Sequence, residues 1–407
     1  RELSQIDGDT KSRQLGGFLD QLASQFHAHK AMHYLVNDHH SEFETSDLRR
    51  EINRNFNNAT PLPKSIAAVY ATLEKKQFKP NDLIMVLSSD NDGIYATPVY
   101  YCAGRKPKEG YFERHPSIKL SQQGERKLLH DALVGAGLPV SIAIRFIELY
   151  SYREIISNKA KLILQEGGKW YQVPASLKVG NVDISDVLFK ESRALQKQVE
   201  QTFFISASAA IKPQKGIKST QWLAGNPLSG SQQLLQKQYE RPHKVFWKDH
   251  LPQLMTRLPV KGIEQDFYFV NSGTSVKPER GIPVDIPIDT PFTLPGGKEE
   301  LRFTVYQGKG SDRQVFSLLL SLRQPLKADC ICMLKLSYTY GEEQPYKLRF
   351  IPVDADNKPF NYVDALWGKK RDDIDRRVIA IPTVPKRRSF EELRAFQGND
   401  GVKNSVD

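Results

Sequence analysis

Histidines crowd the start of the chain: His27, His29, His33, His39 and His40. His29 and His33 stand i, i+4, so a helix there would hold two imidazoles side by side, as a zinc pair requires. Asp38, His39 or Glu42 could supply a third ligand. No His-Glu-x-x-His sequence and no cysteine accompany them, and a solvated, titratable surface is the reading the pattern favours. A second candidate is Asp90 with Asp92, in Ser88-Ser89-Asp90-Asn91-Asp92-Gly93 behind the apolar run 83–87. Two carboxylates at the end of a buried strand could hold a divalent cation or divide acid and base roles. Turn chemistry explains the same residues more simply: Asn91-Asp92-Gly93, tolerant of positive φ, closes a hairpin onto 94–101.

The other chemistry open to these residue types is polyanion binding. In 104–118, Arg105, Lys106, Lys108 and Arg114 surround Tyr111 and Phe112. Cations there could neutralise a nucleic-acid strand while the rings stack on its bases, although an exposed loop is the plainer reading. Towards the C-terminus Lys369, Lys370, Arg371, Arg376, Arg377, Lys386, Arg387 and Arg388 form a basic run interrupted by Asp372, Asp373 and Asp375. Such a run suits a solvated segment equally well, with non-specific affinity for polyanions at low salt through counterion release. Gly135-Ala136-Gly137 lacks the Lys-Ser/Thr of a phosphate-binding loop. No Ser-His-Asp or Cys-His arrangement can be argued from spacing, and no cofactor is predicted.

The elements that must position these groups follow from size and pattern. At 407 residues the chain is too long for one ordinary core. Its 39% hydrophobic and 26% charged composition is that of a soluble protein, without a run of membrane-spanning length. A net charge of +11 invites a nucleic-acid or acidic partner, but it is spread thinly. Three cysteines make no disulfide framework, and Cys330 and Cys332 share one strand face, held apart by extended backbone. A reducing, cytoplasmic setting fits, with no membrane partner. The chain opens with Arg rather than Met, so the lack of a leader weighs little.

Helical periodicity is expected over 7–36, 46–80, 141–165 and 186–201, and 212–240 reads as a linker or mobile insertion rich in Lys, Gln, Ser, Gly and Pro. The most regular stretch is 284–353. There Leu301, Phe303 and Val305 alternate with Arg302, Thr304 and Tyr306, and Cys332, Leu334, Leu336, Tyr338 and Tyr340 with Met333, Lys335, Ser337 and Thr339. Period two puts one face on a core, and Gly341 with Glu342 and Glu343 suggests a hairpin to Tyr346, Leu348 and Phe350. The expected fold is therefore α+β, a mixed N-terminal α/β region followed by a C-terminal antiparallel β-sandwich. The divisions expected are 1–205, a mixed α/β region; a linker at 206–244; the sandwich at 245–366; and a basic segment at 367–407.

Two resemblances bear on function. Asp38-His39-His40 after Tyr34-Leu35-Val36 is similar to the signature of DHH phosphoesterases. That family places Asp-x-Asp-Gly earlier in the chain, whereas Asp90-Asn91-Asp92-Gly93 comes later here, so the assignment is rejected. Leu301-Arg302-Phe303-Thr304-Val305-Tyr306-Gln307-Gly308 resembles the strand of DnaK-type heat-shock chaperones that closes in Val-Tyr-Gln-Gly, part of their β-sandwich substrate-binding domain. The stretch 333–350 resembles a later hairpin of that domain. Gly8-Asp9-Thr10, Leu15-Gly16-Gly17 and Leu133-Val134-Gly135 are fainter echoes of the family's ATPase domain, which would make 1–205 a degenerate actin- or chaperone-ATPase-like lobe. The family's Asp-x-Gly-Gly-Gly-Thr loop is missing, so ATP hydrolysis is not carried over. The resemblance implies a non-catalytic binding or scaffold protein holding a peptide or partner subunit, with Thr304, Tyr306, Phe316 and Leu318 near the site unless they simply fill the core. The alternative is a basic nucleic-acid-binding subunit of a bacterial defence or processing complex. A metal-dependent hydrolase using His29, His33, Asp90 and Asp92 comes third. A fragment cut just before Lys277 is expected to be soluble and all-β.

Overall fold

The computed structural model describes residues 8–25, 31–39, 46–90, 93–104, 110–196, 199–260, 263–308, 314–342, 344–353 and 359–368. Helices α1 (Gly8–Gln25) and α2 (Ser46–Asn55) accompany a parallel pair, β1 (Met32–Val36) with β2 (Ala59–Pro63). The chain then enters α3 (Lys64–Tyr70), in which every residue from Ser65 to Tyr70 is buried. A helix apolar on all sides belongs inside a core, and α3 is one.

Strands β3 (Leu83–Ser89), β4 (Ile94–Cys102), β5 (Tyr111–Arg114) and β6 (Ile118–Ser121) begin the largest sheet. Helices α4 (Glu125–Gly135), α5 (Val140–Leu149) and α6 (Tyr152–Ser157), with the hairpin β7 (Ile163–Glu166) and β8 (Lys169–Gln172), enclose a separate small core around Leu129, Leu133, Phe146 and Ile155. Next come α7 (Ser185–Leu195), β9 (Thr202–Ser206), β10 (Trp222–Ala224), α8 (Pro227–Glu240) and β11 (Trp247–His250). Strands β12 (Leu254–Val260) and β13 (Ile263–Val270) pair with each other, and β14 (Ser275–Val276) returns to β11. The large sheet thus runs β10-β9-β3-β4-β5-β11-β14, with β6 beside β4. Residues 83–87 of β3 are an unbroken apolar run because both faces are covered. Ile84 and Val86 join the core of α3 and α8, while Leu83, Met85 and Leu87 join that of α7.

The remaining strands are β15 (Pro283–Ile286), β16 (Phe292–Leu294), β17 (Glu300–Gln307), β18 (Gln314–Ser321), β19 (Cys330–Thr339), β20 (Tyr346–Pro352), β21 (Val363–Asp364) and β22 (Leu366–Trp367). They form two antiparallel sheets, β13-β12-β17-β18-β22 and β15-β19-β20-β21 with β16 on β19. Inward residues of both sheets meet as alternation requires. Phe303 of one sheet lies 5.3 Å from Phe292 and 6.0 Å from Phe350 of the other, ring to ring. Leu334 and Leu336 are buried and Lys335 is exposed. Gly341, at φ +81°, turns β19 into β20. The expected α+β class and C-terminal sandwich are both present.

Several expected boundaries shift. The helix expected over 46–80 is interrupted by β2, and the one over 7–36 gives way to β1. The stretch 206–244 is not a bare linker, since it supplies β10 and α8. Asn226 caps α8, its Oδ1 accepting from the Leu228 amide at 3.1 Å, with Pro227 in the first turn. Polar composition suggested a loop, but Asn-Pro here is an N-cap followed by a favoured helix start. Strand β11 belongs to the large sheet, so the sandwich begins at Leu254 rather than at 245. Residues 369–407 lie outside the described residues. Among the described residues no helix is long and apolar enough to cross a membrane.

Candidate functional site

Strands β5 and β11 run parallel, with Phe112 beside Trp247, Glu113 beside Lys248 and Arg114 beside Asp249. Alternate side chains of a strand point to opposite faces. One face therefore carries Arg114 and Asp249, and the other Glu113 and His250.

On the Arg114 face lies a buried ionic junction. Arg114 Nε and Nη2 donate to the two Asp249 carboxylate oxygens, each at 2.9 Å, and Nη1 donates to the Asp38 carbonyl at 3.2 Å. The Asp38 carboxylate lies 3.6 Å from Arg114. It accepts from the Ser65 amide at 2.9 Å and from the Ser65 hydroxyl, at the start of α3. Burial pushes the Asp38 carboxyl above its ordinary value, against the pull of Arg114 and Ser65. Burial also opposes the charge of Arg114, but Asp249 and Asp38 outweigh it and hold the guanidinium above its usual value. Tyr340, from the end of the β19 ribbon, donates to the Pro61 carbonyl at 2.8 Å, and burial raises its phenol well above the ordinary range. Nearby, Asn53 Nδ2 donates to the Gly341 carbonyl at 3.1 Å and Arg280 Nη1 to the Ala59 carbonyl at 2.6 Å. The junction thus fastens the sandwich to the α/β body.

On the opposite face, Glu113, His115 and His250 converge, with one ligand-type atom of each lying within 4.8 Å of the others. Glu113 Oε1 is 3.5 Å from His250 Nδ1 and 3.6 Å from His115 Nε2. The imidazoles stack at 4.3 Å, and Tyr100 meets His115 edge-on at 4.8 Å. His115 and His250 hold the Glu113 carboxyl down at about 2. The side chains of Glu113, His115 and His250 keep 19%, 28% and 13% of their surface open to solvent. Such a set offers two imidazole nitrogens and one carboxylate oxygen, a borderline ligand field.

The residues singled out from sequence are placed differently. His33 lies on β1 against α8, its Nδ1 3.4 Å from the Ser231 hydroxyl, and burial lowers its basicity. His39 meets Asp90 at 2.5 Å and stacks on Tyr95 at 3.8 Å. Asp90 also accepts from the Gly93 amide at 3.2 Å, as the hairpin reading requires. Neither His33 nor Asp90 joins the convergent group found among the described residues. Thr304 and Tyr306 are half-buried, the latter with the Arg257 guanidinium 5.9 Å from its ring centre. Phe316 and Leu318 are fully buried and correct the partner-site expectation, because strand alternation turns them into the sandwich. Arg114 likewise is not a phosphate contact, being committed to Asp249 and Asp38. Tyr111 is half-buried under the Lys248 ammonium, 4.7 Å from its ring centre. His29, Asp92, Arg105, Lys106, Lys108, Lys369, Lys370, Arg371, Arg376, Arg377, Lys386, Arg387 and Arg388 lie outside the described residues.

Sequence reasoning missed Glu113, His115 and His250. A Glu-x-His spacing on a strand puts both side chains on one face, but 104–118 read as a loop. His250 is 137 residues from Glu113 and is joined to it only by the β5–β11 pairing.

No family model matches the chain, and no curated protein matches it. Among solved structures it is similar to the MamK double helical filament, with 12% identity and a TM-score of 0.34, over 59% of this chain and 78% of that one. It is also similar to a non-polymerising MamK mutant bound to AMPPNP, with 12% identity and a TM-score of 0.30, over 58% and 77%. At such scores the likeness carries no argument.

Proposed function

We propose that this chain is a non-catalytic binding or scaffold protein whose chaperone-like sandwich takes up an extended peptide or the strand of a partner subunit. The observation that carries this reading is β13. It is an edge of its sheet, seven of its 8 residues paired on one side with β12 across a bulge at Phe269, and with no strand on the other among the described residues. An open edge of that length presents a row of backbone donors and acceptors, the template used in strand addition. Tyr268 stays 38% exposed on it. The fixed junction at Arg114 and Tyr340 supports a scaffold role, since it lets the body orient whatever the edge receives.

The test is fluorescence anisotropy with a set of labelled, extended apolar peptides. Binding is expected in the micromolar range or tighter, and replacing Gln265 and Tyr268 by Lys is expected to weaken it at least tenfold by charging the edge. Equal binding by the charged variant, or none by the parent, would remove the reading. The nucleic-acid alternative now rests on residues outside the described ones together with the diffuse charge of +11.

A further inference from the structure

We propose that Glu113, His115 and His250 bind one divalent first-row transition-metal ion, zinc in the first instance, with a coordination position left open to solvent. The spacing bears on the choice between a metal site and a hydrogen-bonded triad. Charge-assisted N–H···O bonds close to about 2.7–2.9 Å, whereas the two contacts to Glu113 Oε1 are 3.5 and 3.6 Å. A tetrahedral zinc ion with ligand distances of about 2.0–2.1 Å sets neighbouring ligand atoms roughly 3.4 Å apart. The two separations from Glu113 Oε1 fit edges of that tetrahedron, and each is longer than a strong charge-assisted hydrogen bond.

The three side chains also sit where a metal site needs rigidity. Glu113 and His250 project from adjacent paired strands, with β4 on one side and β14 on the other. His115 is anchored directly after β5 by its amide, which donates to the Pro98 carbonyl at 2.9 Å, and its ring is bounded by Tyr100. Lys248, the cation in register with Glu113, turns over the Tyr111 ring instead of competing with an ion. Two histidines and one carboxylate suit zinc or a neighbouring first-row ion rather than calcium or magnesium, which prefer oxygen shells. Three protein ligands leave a position for water, and the partial exposure of all three gives that water access. The site is independent of the β13 edge, so chelator-stripped protein should still bind peptide.

The experiment is a competition titration of zinc into the chelator-stripped full chain against a chromophoric chelator, followed by the cobalt(II) spectrum. One equivalent is expected, with cobalt d–d bands of tetrahedral intensity and no thiolate charge-transfer band. The double variant His115→Ala/His250→Ala is expected to lose affinity by about 100-fold or more, and His130→Ala, a half-buried histidine elsewhere, to keep it. Absence of stoichiometric uptake by the parent would overturn the proposal, as would undiminished uptake by a double variant that is folded by circular dichroism. A thiolate band would also overturn it, because it would place the ion at Cys330 and Cys332, whose sulfurs stand 3.8 Å apart. The cobalt spectrum needs only the parent protein, so a variant that fails to fold leaves the question decidable.

Discussion

At Arg114 one guanidinium stands between two carboxylates, and only Asp249 receives the bidentate pair. Asp38 stands further off, at 3.6 Å, and burial raises its carboxyl pKa against the pull of Arg114. A raised carboxyl pKa means that the folded chain holds a proton the unfolded chain has released. The stability linked to that proton is fully present below the ordinary aspartate value and is lost as pH rises through the higher folded value. Asp38→Asn keeps an acceptor for the Ser65 amide and removes the titration. Its stability relative to the parent is therefore expected to improve as pH rises across that window, which urea midpoints at a series of pH values would measure. Arg114→Met should behave in the opposite way. It strands two buried carboxylates and is expected to cost about 3–5 kcal/mol near neutrality, read from the same midpoints. Little of this was legible beforehand: Arg114 read as a surface cation because its commitment to Asp249 depends on strands 135 residues apart.

At the scale of elements, legibility tracked whether local pattern and burial agreed. The alternation of β17, β19 and β20 survives because each strand has one wet face, and the apolar run of β3 survives because it has none. Helix α8 was hidden by Ser, Gln and Gly residues that read as flexible. Gly230 is the informative one. It is buried on α8 against α3, and a Cβ there would overlap the Ala67 carbonyl oxygen and come within 2.7 Å of the Ala71 amide nitrogen. These obstacles are backbone, so they cannot swing aside. Ala normally favours a helix over Gly by roughly 0.8–1.0 kcal/mol, but here overpacking should win. Gly230→Ala is expected to destabilise the chain by about 1–3 kcal/mol, seen as a fall in Tm. Unchanged or raised melting would mean that the two helices stand further apart than described.

Across the whole molecule, the C-terminal region was the most readable in content and the least readable in its starting point. Strands β12 and β13 belong to the sandwich, whereas β11 before them and β14 after them belong to the large sheet. No composition change marks that crossing, because both sheets draw on one continuous core that includes Phe246, Trp247, Leu254, Phe269 and Val270. A fragment beginning at Lys277 therefore loses two strands of a five-stranded sheet. It forfeits the burial of Leu254, Phe269 and Val270, which are 0%, 4% and 0% exposed. At roughly 1.5–3 kcal/mol for each such side chain, the loss is about 5–9 kcal/mol, against a total of about 5–15 kcal/mol for an ordinary domain. It also opens the flank of β17, whose Met255 and Thr256 partners lie on β12. The expectation that a chain cut before Lys277 is soluble and all-β is thus replaced by a sharper one. A fragment from Pro252 to Gly368 should give a β-type circular dichroism spectrum and a cooperative melt, while one starting at Lys277 should aggregate or remain unfolded. Equal folding of the two fragments would mean that β12 and β13 contribute little to the sandwich, and the open edge assigned to β13 would lose its place with them.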